Sequence, residues 1–282
     1  MTLLVAMLLL SGGRYLIGPL EFEDHAAQAV RTWRTSGAAE IWRDGFVPLG
    51  DLSAMSPEVR KKIEHDDEEY GWGVAGPLPA PPAGAQIRWD DGSTMRVPVI
   101  EPREALMALS PWPEEYTFPD DKTYKLTGAT LTTMRLETVR GMATVPAWRL
   151  HFTNLPGPID RVAVDRGAMV SIVDAVGEHA SGEGVTDVKV LDERTLLVEY
   201  AYGSCGGEPP DARLRVSERS DVVVLGLYVA EQVSGPCAGV GLWGEDVIRL
   251  EEPLGDRVVL DASSRLPVLC HDAPYGCDSR NG

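Results

Sequence analysis

Hydrophobic and polar residues alternate with a period of two over much of the chain between residues 186 and 261. Such alternation is typical of strands with one face in a core and the other in water. One segment, Val222–Val229, is apolar on both faces, which predicts a place in the middle of a sheet. The pattern predicts five strands here: Thr195–Tyr202, Ala212–Ser217, Val222–Val229, Val247–Glu251 and Arg257–Leu260.

Strand patterns also precede this stretch. Asp91-Gly92 suits a tight turn, so residues 86–90 and 93–97 predict a hairpin, and Pro98 places its second strand at a sheet edge. Trp148, Leu150 and Phe152 share one face of a further segment and predict an inward side. The remaining predicted strands are Lys125–Val139, Val145–Thr153 and Arg161–Val164.

Helical spacing is confined to short segments. Asp24–Ser36 carries an apolar stripe, with Asp24 suited to cap its start and Gly37 to end it. Ser56 and Pro57 are typical of a helix start, as cap and first helical residue. Two further short helices are predicted, at Ala38–Trp42 and Pro102–Leu109.

These elements predict an α+β fold that is predominantly antiparallel β. A small helical N-terminal part would precede β-rich meander or sandwich units. Four prolines within residues 77–82 favour a stiff, extended linker. The predicted organisation is a signal peptide or truncated membrane anchor (1–22), a helical N-terminal segment (23–76), a Pro-rich linker (77–84), a β-rich middle unit (85–178), an antiparallel β unit (185–268) and a C-terminal tail (269–282).

The four cysteines, Cys205, Cys237, Cys270 and Cys277, all follow residue 200. Cys205 and Cys237 lie in Gly/Pro-rich connections, which favours a disulfide between them over two separate buried thiols. By loop entropy that bond would stabilise the fold by roughly 3–4 kcal/mol, and a Cys270–Cys277 bond by roughly 2 kcal/mol. Cysteines placed in this way indicate an oxidising compartment.

The N-terminus agrees with export. Leu3–Leu10 is an unbroken apolar run, and the small residues Ser11 and Gly13 suit cleavage after Gly13. The alternatives are a truncated membrane anchor through Leu20 or a buried apolar strand. Leu10-Ser11-Gly12 resembles the start of a lipoprotein box, but Gly13 occupies the position of the lipid-bearing cysteine.

The net charge and the short sequence motifs indicate few ligands or cofactors. A formal net charge of −17 repels phosphate backbones, so no nucleic-acid partner is expected. His65–Glu69 could be a cation site, although a solvated acidic helix end is the favoured interpretation. Gly239–Gly244 matches a dinucleotide-binding pattern in letters alone, since the predicted context lacks the required strand and helix. We therefore expect no cofactor.

No catalytic residue can be assigned. Ser204 lies outside any nucleophile elbow, and no metal site is expected because the histidines lack metal-ligand spacing. With 43 acidic residues, no carboxylate pair can be chosen, and Asp90-Asp91 and Asp120-Asp121 are explained as turn and loop residues. The five histidines are His25, His65, His151, His179 and His271.

Three segments resemble those of uncharacterised secreted or lipoprotein-like proteins of actinobacteria. They are Val145–Trp148, Tyr202–Cys205 and Pro253–Arg257, the last followed by Val259 and Asp261. The resemblance covers about residues 125 to 268. It implies an extracytoplasmic, β-rich protein without an assigned activity.

Three functional hypotheses follow. The first is an exported, secreted or membrane-anchored protein with a non-enzymatic binding role, whose partner is an envelope protein or polymer. The second is a carboxylate-dependent hydrolase of an envelope polymer, which requires two carboxyl groups in one cleft. The third is a structural or sensor ectodomain with an exposed apolar patch.

Overall fold

A computed structural model describes residues 19–66, 70–110, 116–177, 184–204, 211–229, 240–272 and 277 of the chain. The helices within these residues are α1 (Pro19–Thr35), α2 (Ala38–Asp44), α3 (Pro57–Asp66), α4 (Pro102–Met107), α5 (Ile172–Val176) and α6 (Leu269–Asp272). The strands are β1 (Ser53–Met55), β2 (Gly71–Val74), β3 (Ala85–Trp89), β4 (Thr94–Val97), β5 (Thr123–Thr138), β6 (Gly141–Phe152), β7 (Ile159–Val162), β8 (Gly184–Asp192), β9 (Thr195–Ser204), β10 (Ala212–Glu218), β11 (Val222–Val229), β12 (Val240–Arg249) and β13 (Val258–Asp261).

The predicted fold class is confirmed, because mainly antiparallel sheets follow a small helical N-terminal part. The chain divides into two compact units that are not contiguous in sequence. We name them the N-terminal-strapped unit, residues 1–32 with 179–268, and the central unit, residues 33–178 with 269–282.

The central unit is built on a seven-stranded sheet around the long strand β6. One edge of β6 pairs antiparallel with β5, and the other edge pairs with β3 and then with β7. The strand order is β1-β7-β6-β3-β4, with β2 joined in parallel to β5. The predicted hairpin is confirmed as β3 and β4, with Gly92 at φ +87° in its turn and β4 at the sheet edge.

Both faces of β6 are covered, which explains why its residues are so often apolar. Val145 belongs to a core with Trp89 and Leu136, whereas Trp148 and Leu150 belong to a core beneath α4. The inward orientation predicted for Trp148 and Leu150 is therefore confirmed. The indole N–H of Trp148 donates to the Ile100 carbonyl at 2.8 Å, which satisfies the polar atom of a buried ring.

The Pro-rich segment 77–84 connects two strands of one sheet. β2 precedes it and β3 follows it, and both belong to the seven-stranded sheet of the central unit. The backbone N–H of Ala75, just before the segment, donates to the Leu126 carbonyl at 2.8 Å. The predicted linker at residues 77–84 therefore does not separate two units. A high proline content indicates local stiffness and does not show where long-range strand pairing ends.

The C-terminal segment also differs from the tail that was predicted. Cys270 and Cys277 are both buried and are joined by a disulfide, with their Cα atoms 5.0 Å apart. The carbonyl of Cys277 accepts hydrogen bonds from the Ile172 N–H at 3.1 Å and from the Ser171 hydroxyl at 3.3 Å. The predicted Cys270–Cys277 disulfide is present, and it closes a loop that is bonded to the start of α5.

The N-terminal-strapped unit packs two three-stranded sheets face to face. Their orders are β10-β11-β13 and β12-β9-β8. Leu196 and Val198 of one sheet contact Val223 and Leu225 of the other in a shared core. The segment predicted as an antiparallel unit contains one exception, since β11 and β13 run parallel. The five predicted strands are nevertheless all present.

Helix α1 covers the other face of β11. A Cβ on Gly226 would lie 2.7 Å from the ring of Phe22 in α1, so only glycine fits beneath that ring without displacement. Cover on both faces explains why nearly every residue of β11 is buried. The predicted central position of this strand is confirmed, because β10 and β13 flank it.

The apolar run Leu3–Leu10 lies outside the described residues, so the signal-peptide and anchor hypotheses remain predictions. Among the described residues, no helix combines the length and apolar character needed to cross a bilayer.

Candidate binding cleft

An aromatic cleft lies on the central unit beside the short strand β2. It has a volume of ≈ 390 Å³. Strand β2 forms one wall because its parallel pairing with β5 presents Trp72 and Val74 there. The lining residues come from β2, α4 and the segment that leads into β5: Trp72, Gly73, Val74, Arg103, Met107, Ser110, Tyr116, Thr117, Phe118, Asp120 and Thr123.

Two rings form the outer wall of this cleft. Tyr116 and Phe118 lie 4.9 Å apart between ring centroids, and Tyr116 remains 56% exposed. Phe118 packs so closely on β2 that a Cβ at Gly71 would lie 2.1 Å from its ring. The glycine therefore fixes the position of the wall, since any side chain there would displace Phe118.

Trp72 connects the cleft to a cluster of rings in the core. Its ring lies 4.8 Å from that of Tyr124 and 5.5 Å from that of Phe152. Tyr70 stacks on Tyr124, with 5.1 Å between the ring centroids. Contacts of this kind hold the rings in defined orientations, so the back of the cleft is preformed.

A hydrogen-bonded carboxylate lies behind this cluster. Asp66, at the end of α3, has a side chain only 7% exposed and accepts hydrogen bonds from Tyr124 at 2.7 Å and from Lys62. Burial raises the pKa of Asp66, but the bonds from Lys62 and Tyr124 outweigh it and hold the pKa below its usual value. Burial and the bond to Asp66 raise the pKa of the Tyr124 hydroxyl. This network is structural, since it ties α3 to β5.

Polar groups lie at the rim of the cleft. Asp120 is 95% exposed and pairs with Lys125 at 2.8 Å, and Arg103 lines the side formed by α4. The cleft thus combines aromatic walls with an exposed lining that is largely polar. Ring stacking and peripheral hydrogen bonds are the interactions this arrangement can offer.

A second, wider cleft on the N-terminal-strapped unit uses its charges internally. It has a volume of ≈ 810 Å³ and lies between β10 and the segment before β13. Glu218 pairs with Arg257 at 2.8 Å, and both side chains are largely buried. Arg257 also donates to the carbonyls of Glu252 and Pro253, so this ion pair holds the loop that forms one wall.

The electrostatics of Glu218 do not suit a general acid. Burial raises its pKa, but hydrogen bonds from the Glu251 N–H at 2.7 Å and from Arg257, among others, leave the pKa lowered. A catalytic acid needs a raised pKa to hold its proton near neutral pH. Glu218, the least exposed carboxylate that we place in this cleft, therefore has a structural role as the ion-pair partner of Arg257.

The residues singled out from sequence fall in several places. Cys205 and Cys237 lie outside the described residues, although the strands that flank them are adjacent, with Ser204 opposite Val240. Val240–Gly244 forms the first half of β12. His25, His65 and His151 are exposed, and His179 lies outside the described residues.

The acidic run His65–Glu69 is described only through Asp66, so its interpretation as a cation site remains untested. In the described part of the chain, no group of three or more His, Cys, Asp or Glu residues could hold a metal ion. Ser204 is buried at the end of β9.

Sequence reasoning did not identify the aromatic cleft. Trp72 lies more than 40 residues before Tyr116 and Phe118, and the three follow no regular period. Only the pairing of β2 with β5 brings them together. Comparison with protein-family models, curated proteins and solved structures found no match to this chain.

Proposed function

We propose that the protein is an exported or membrane-anchored, non-enzymatic binding protein of the cell envelope. The observation that carries the proposal is the preformed aromatic cleft lined by Trp72, Tyr116 and Phe118. The apolar run at Leu3–Leu10 and the disulfide between Cys270 and Cys277 support the compartment, because disulfides persist in oxidising environments.

The cleft suits a ligand with a flat, partly apolar ring and polar groups at its edge. Tyr116 is well exposed and can stack on such a ring, and Arg103 and Asp120 line the same cleft and can hydrogen-bond to its edge groups. Saccharide units of an envelope polymer have this chemistry. The proposed ligand is therefore a polymer segment, bound through one or two ring units.

The proposal is tested by titrating the full chain with N-acetylglucosamine oligomers and neutral glucan oligomers in a calorimeter. We expect one of these probes to bind, and Tyr116→Ala to weaken it by roughly tenfold because a stacking ring is lost. Leu131→Ala is the matched control, since Leu131 is exposed on the same unit and does not line the cleft.

Two results would contradict the proposal. One is the absence of binding by every saccharide probe to a folded protein, as judged by circular dichroism. The other is equal weakening by Tyr116→Ala and Leu131→Ala, because a cleft-specific contact would then be absent. Turnover of a bound oligomer would instead favour the hydrolase hypothesis.

A separate observation favours the third hypothesis, a structural or sensor ectodomain. It requires an exposed apolar patch on the β-rich part of the chain. Trp243 and Val247 of β12 are both large, apolar and well exposed. The paired-carboxylate hydrolase gains no comparable support from Glu218, whose pKa is lowered.

A further inference from the structure

One face of the sheet β12-β9-β8 is turned away from the core of the N-terminal-strapped unit. Leu196, Val198 and Tyr200 of β9 are buried, so the residues that alternate with them lie on the opposite face. Residues directly opposite in antiparallel strands share a face. We call this side the outer face, and its central cross-strand pairs are Trp243 with Ala201, Glu245 with Glu199, and Val247 with Leu197.

Trp243 is the most prominent apolar residue of the outer face, at 78% exposure. Its ring extends over Gly241, where a Cβ would lie 3.6 Å from the ring. Ala201 opposite it is also small, so no large neighbour on β9 covers the indole. Val247, two pairs further along, is 62% exposed. Exposure of this kind marks surfaces used in binding.

The charges between these apolar residues are arranged unfavourably for an isolated sheet. Glu245 lies directly opposite Glu199, and like charges in that position destabilise a strand pair. The Lys189 ammonium forms an ion pair with the Glu199 carboxylate at 2.6 Å and lies 3.4 Å from the Asp187 carboxylate. Within the described residues, Glu245 has no ion-pair partner. The outer face therefore carries three carboxylates, Asp187, Glu199 and Glu245, with Lys189 beside the first two and Arg249 four residues beyond Glu245 on the same strand.

We propose that the outer face docks a basic polypeptide segment of another protein. A guanidinium or ammonium group of that segment stacks on the Trp243 ring and pairs with Glu245. Its apolar residues contact Val247 and Leu197. This occupant relieves the repulsion between Glu245 and Glu199, whereas an acidic partner would increase it. The net charge of −17 steers basic partners to the same surface.

This inference goes beyond the proposed saccharide cleft, since it assigns a second site with a different ligand class on the other unit. The probe is a fluorescein-labelled peptide of alternating arginine and valine, and the matched peptide replaces arginine with glutamate. Binding to the full chain is followed by fluorescence anisotropy at low and high salt. We expect the basic peptide alone to bind, more weakly as salt rises.

Two substitutions separate this docking role from a structural one. Trp243→Ala weakens binding of the basic peptide by roughly 30-fold, and Trp243→Phe by less because a ring remains. Glu245→Gln weakens binding by roughly two- to fivefold but raises the melting temperature of the free protein, because it removes the opposed charges. The control is Glu137→Gln, which removes the same charge at an exposed position on strand β5. It leaves both peptide binding and the melting temperature unchanged.

Several results would overturn the proposal. Equal binding of the acidic and basic peptides would remove the charge complementarity. Unchanged binding by the Trp243→Ala and Glu245→Gln variants would place the peptide elsewhere. Loss of self-association in the Trp243→Ala variant, measured by sedimentation, would show that a second copy of the chain occupies the face.

Discussion

The Tyr124 hydroxyl joins two elements that are distant in sequence. It lies on β5 and donates to Asp66 at the end of α3, while its ring contacts both Tyr70 and Trp72. A hydrogen bond to a buried carboxylate is stronger than one between neutral groups. This single side chain therefore positions the aromatic cluster behind the cleft.

Replacing Tyr124 with Phe should lower the free energy of unfolding by about 1.5–3 kcal/mol at neutral pH, because the Asp66 carboxylate loses a donor. Urea denaturation measures the difference. Tyr70→Phe is the control, since it leaves the bond between Tyr124 and Asp66 in place. Equal destabilisation by the two variants would contradict a specific role for the Tyr124 hydroxyl.

The difference between wild type and Tyr124→Phe should depend on pH in a defined direction. The pKa of Asp66 is lowered in the folded state, so its stabilisation is complete above the unfolded value of about 3.9. That stabilisation is lost as pH falls through the folded pKa, where the carboxylate is protonated. The two proteins should therefore converge in stability only in strong acid.

At the scale of elements, the close contact between α1 and β11 depends on one glycine. Gly226 lies beneath the ring of Phe22, and both positions are buried in the N-terminal-strapped unit. The helix and the strand are separated by almost 200 residues in the chain. Their contact is what makes residues 19–32 part of that unit.

Gly226→Ala should lower the free energy of unfolding by about 1–3 kcal/mol, because the new methyl group must displace a buried ring. Gly128→Ala is the matched control, since a Cβ there meets no atom within 4 Å. We expect that control to leave stability unchanged or to raise it by up to about 1 kcal/mol. Chemical denaturation compares them, and a neutral Gly226→Ala would contradict the close packing of α1 on β11.

Elements with a strong period could be predicted from sequence, and those with an interrupted period could not. The alternation in β9 and β10 locates both strands to within two residues. Strand β12 begins at Val240, seven residues before its predicted start, because Gly241 and Gly244 lack apolar side chains and break the alternation. Tyr200 packs where a side chain on Gly244 would lie, so this glycine also reflects packing.

At the scale of the whole molecule, local pattern does not determine which elements share a core. Five strands between residues 186 and 261 were expected, but their division into two packed sheets depends on contacts such as Leu196 with Val223. The same limit applies to the cleft, where Trp72 and Tyr116 meet only through sheet pairing. Net charge and cysteine placement, in contrast, support predictions of partner class and compartment that do not depend on the fold.

The disulfide at Cys270–Cys277 links the fold to the proposed compartment. Both half-cystines are buried, and the Cys277 carbonyl is bonded to the start of α5. Closing this loop stabilises the fold by about 2 kcal/mol. A reducing compartment would remove that contribution, which is why the disulfide supports the proposed extracytoplasmic location.

Intact-mass analysis of the native protein, alkylated before and after reduction, tests the proposed exported binding protein most directly. We expect no cysteine to be alkylated before reduction and all 4 to be alkylated after it, with the N-terminal apolar run removed or held in the membrane fraction. A cytosolic protein of full sequence mass, whose Cys270 and Cys277 are alkylated without reduction, would contradict the proposed compartment.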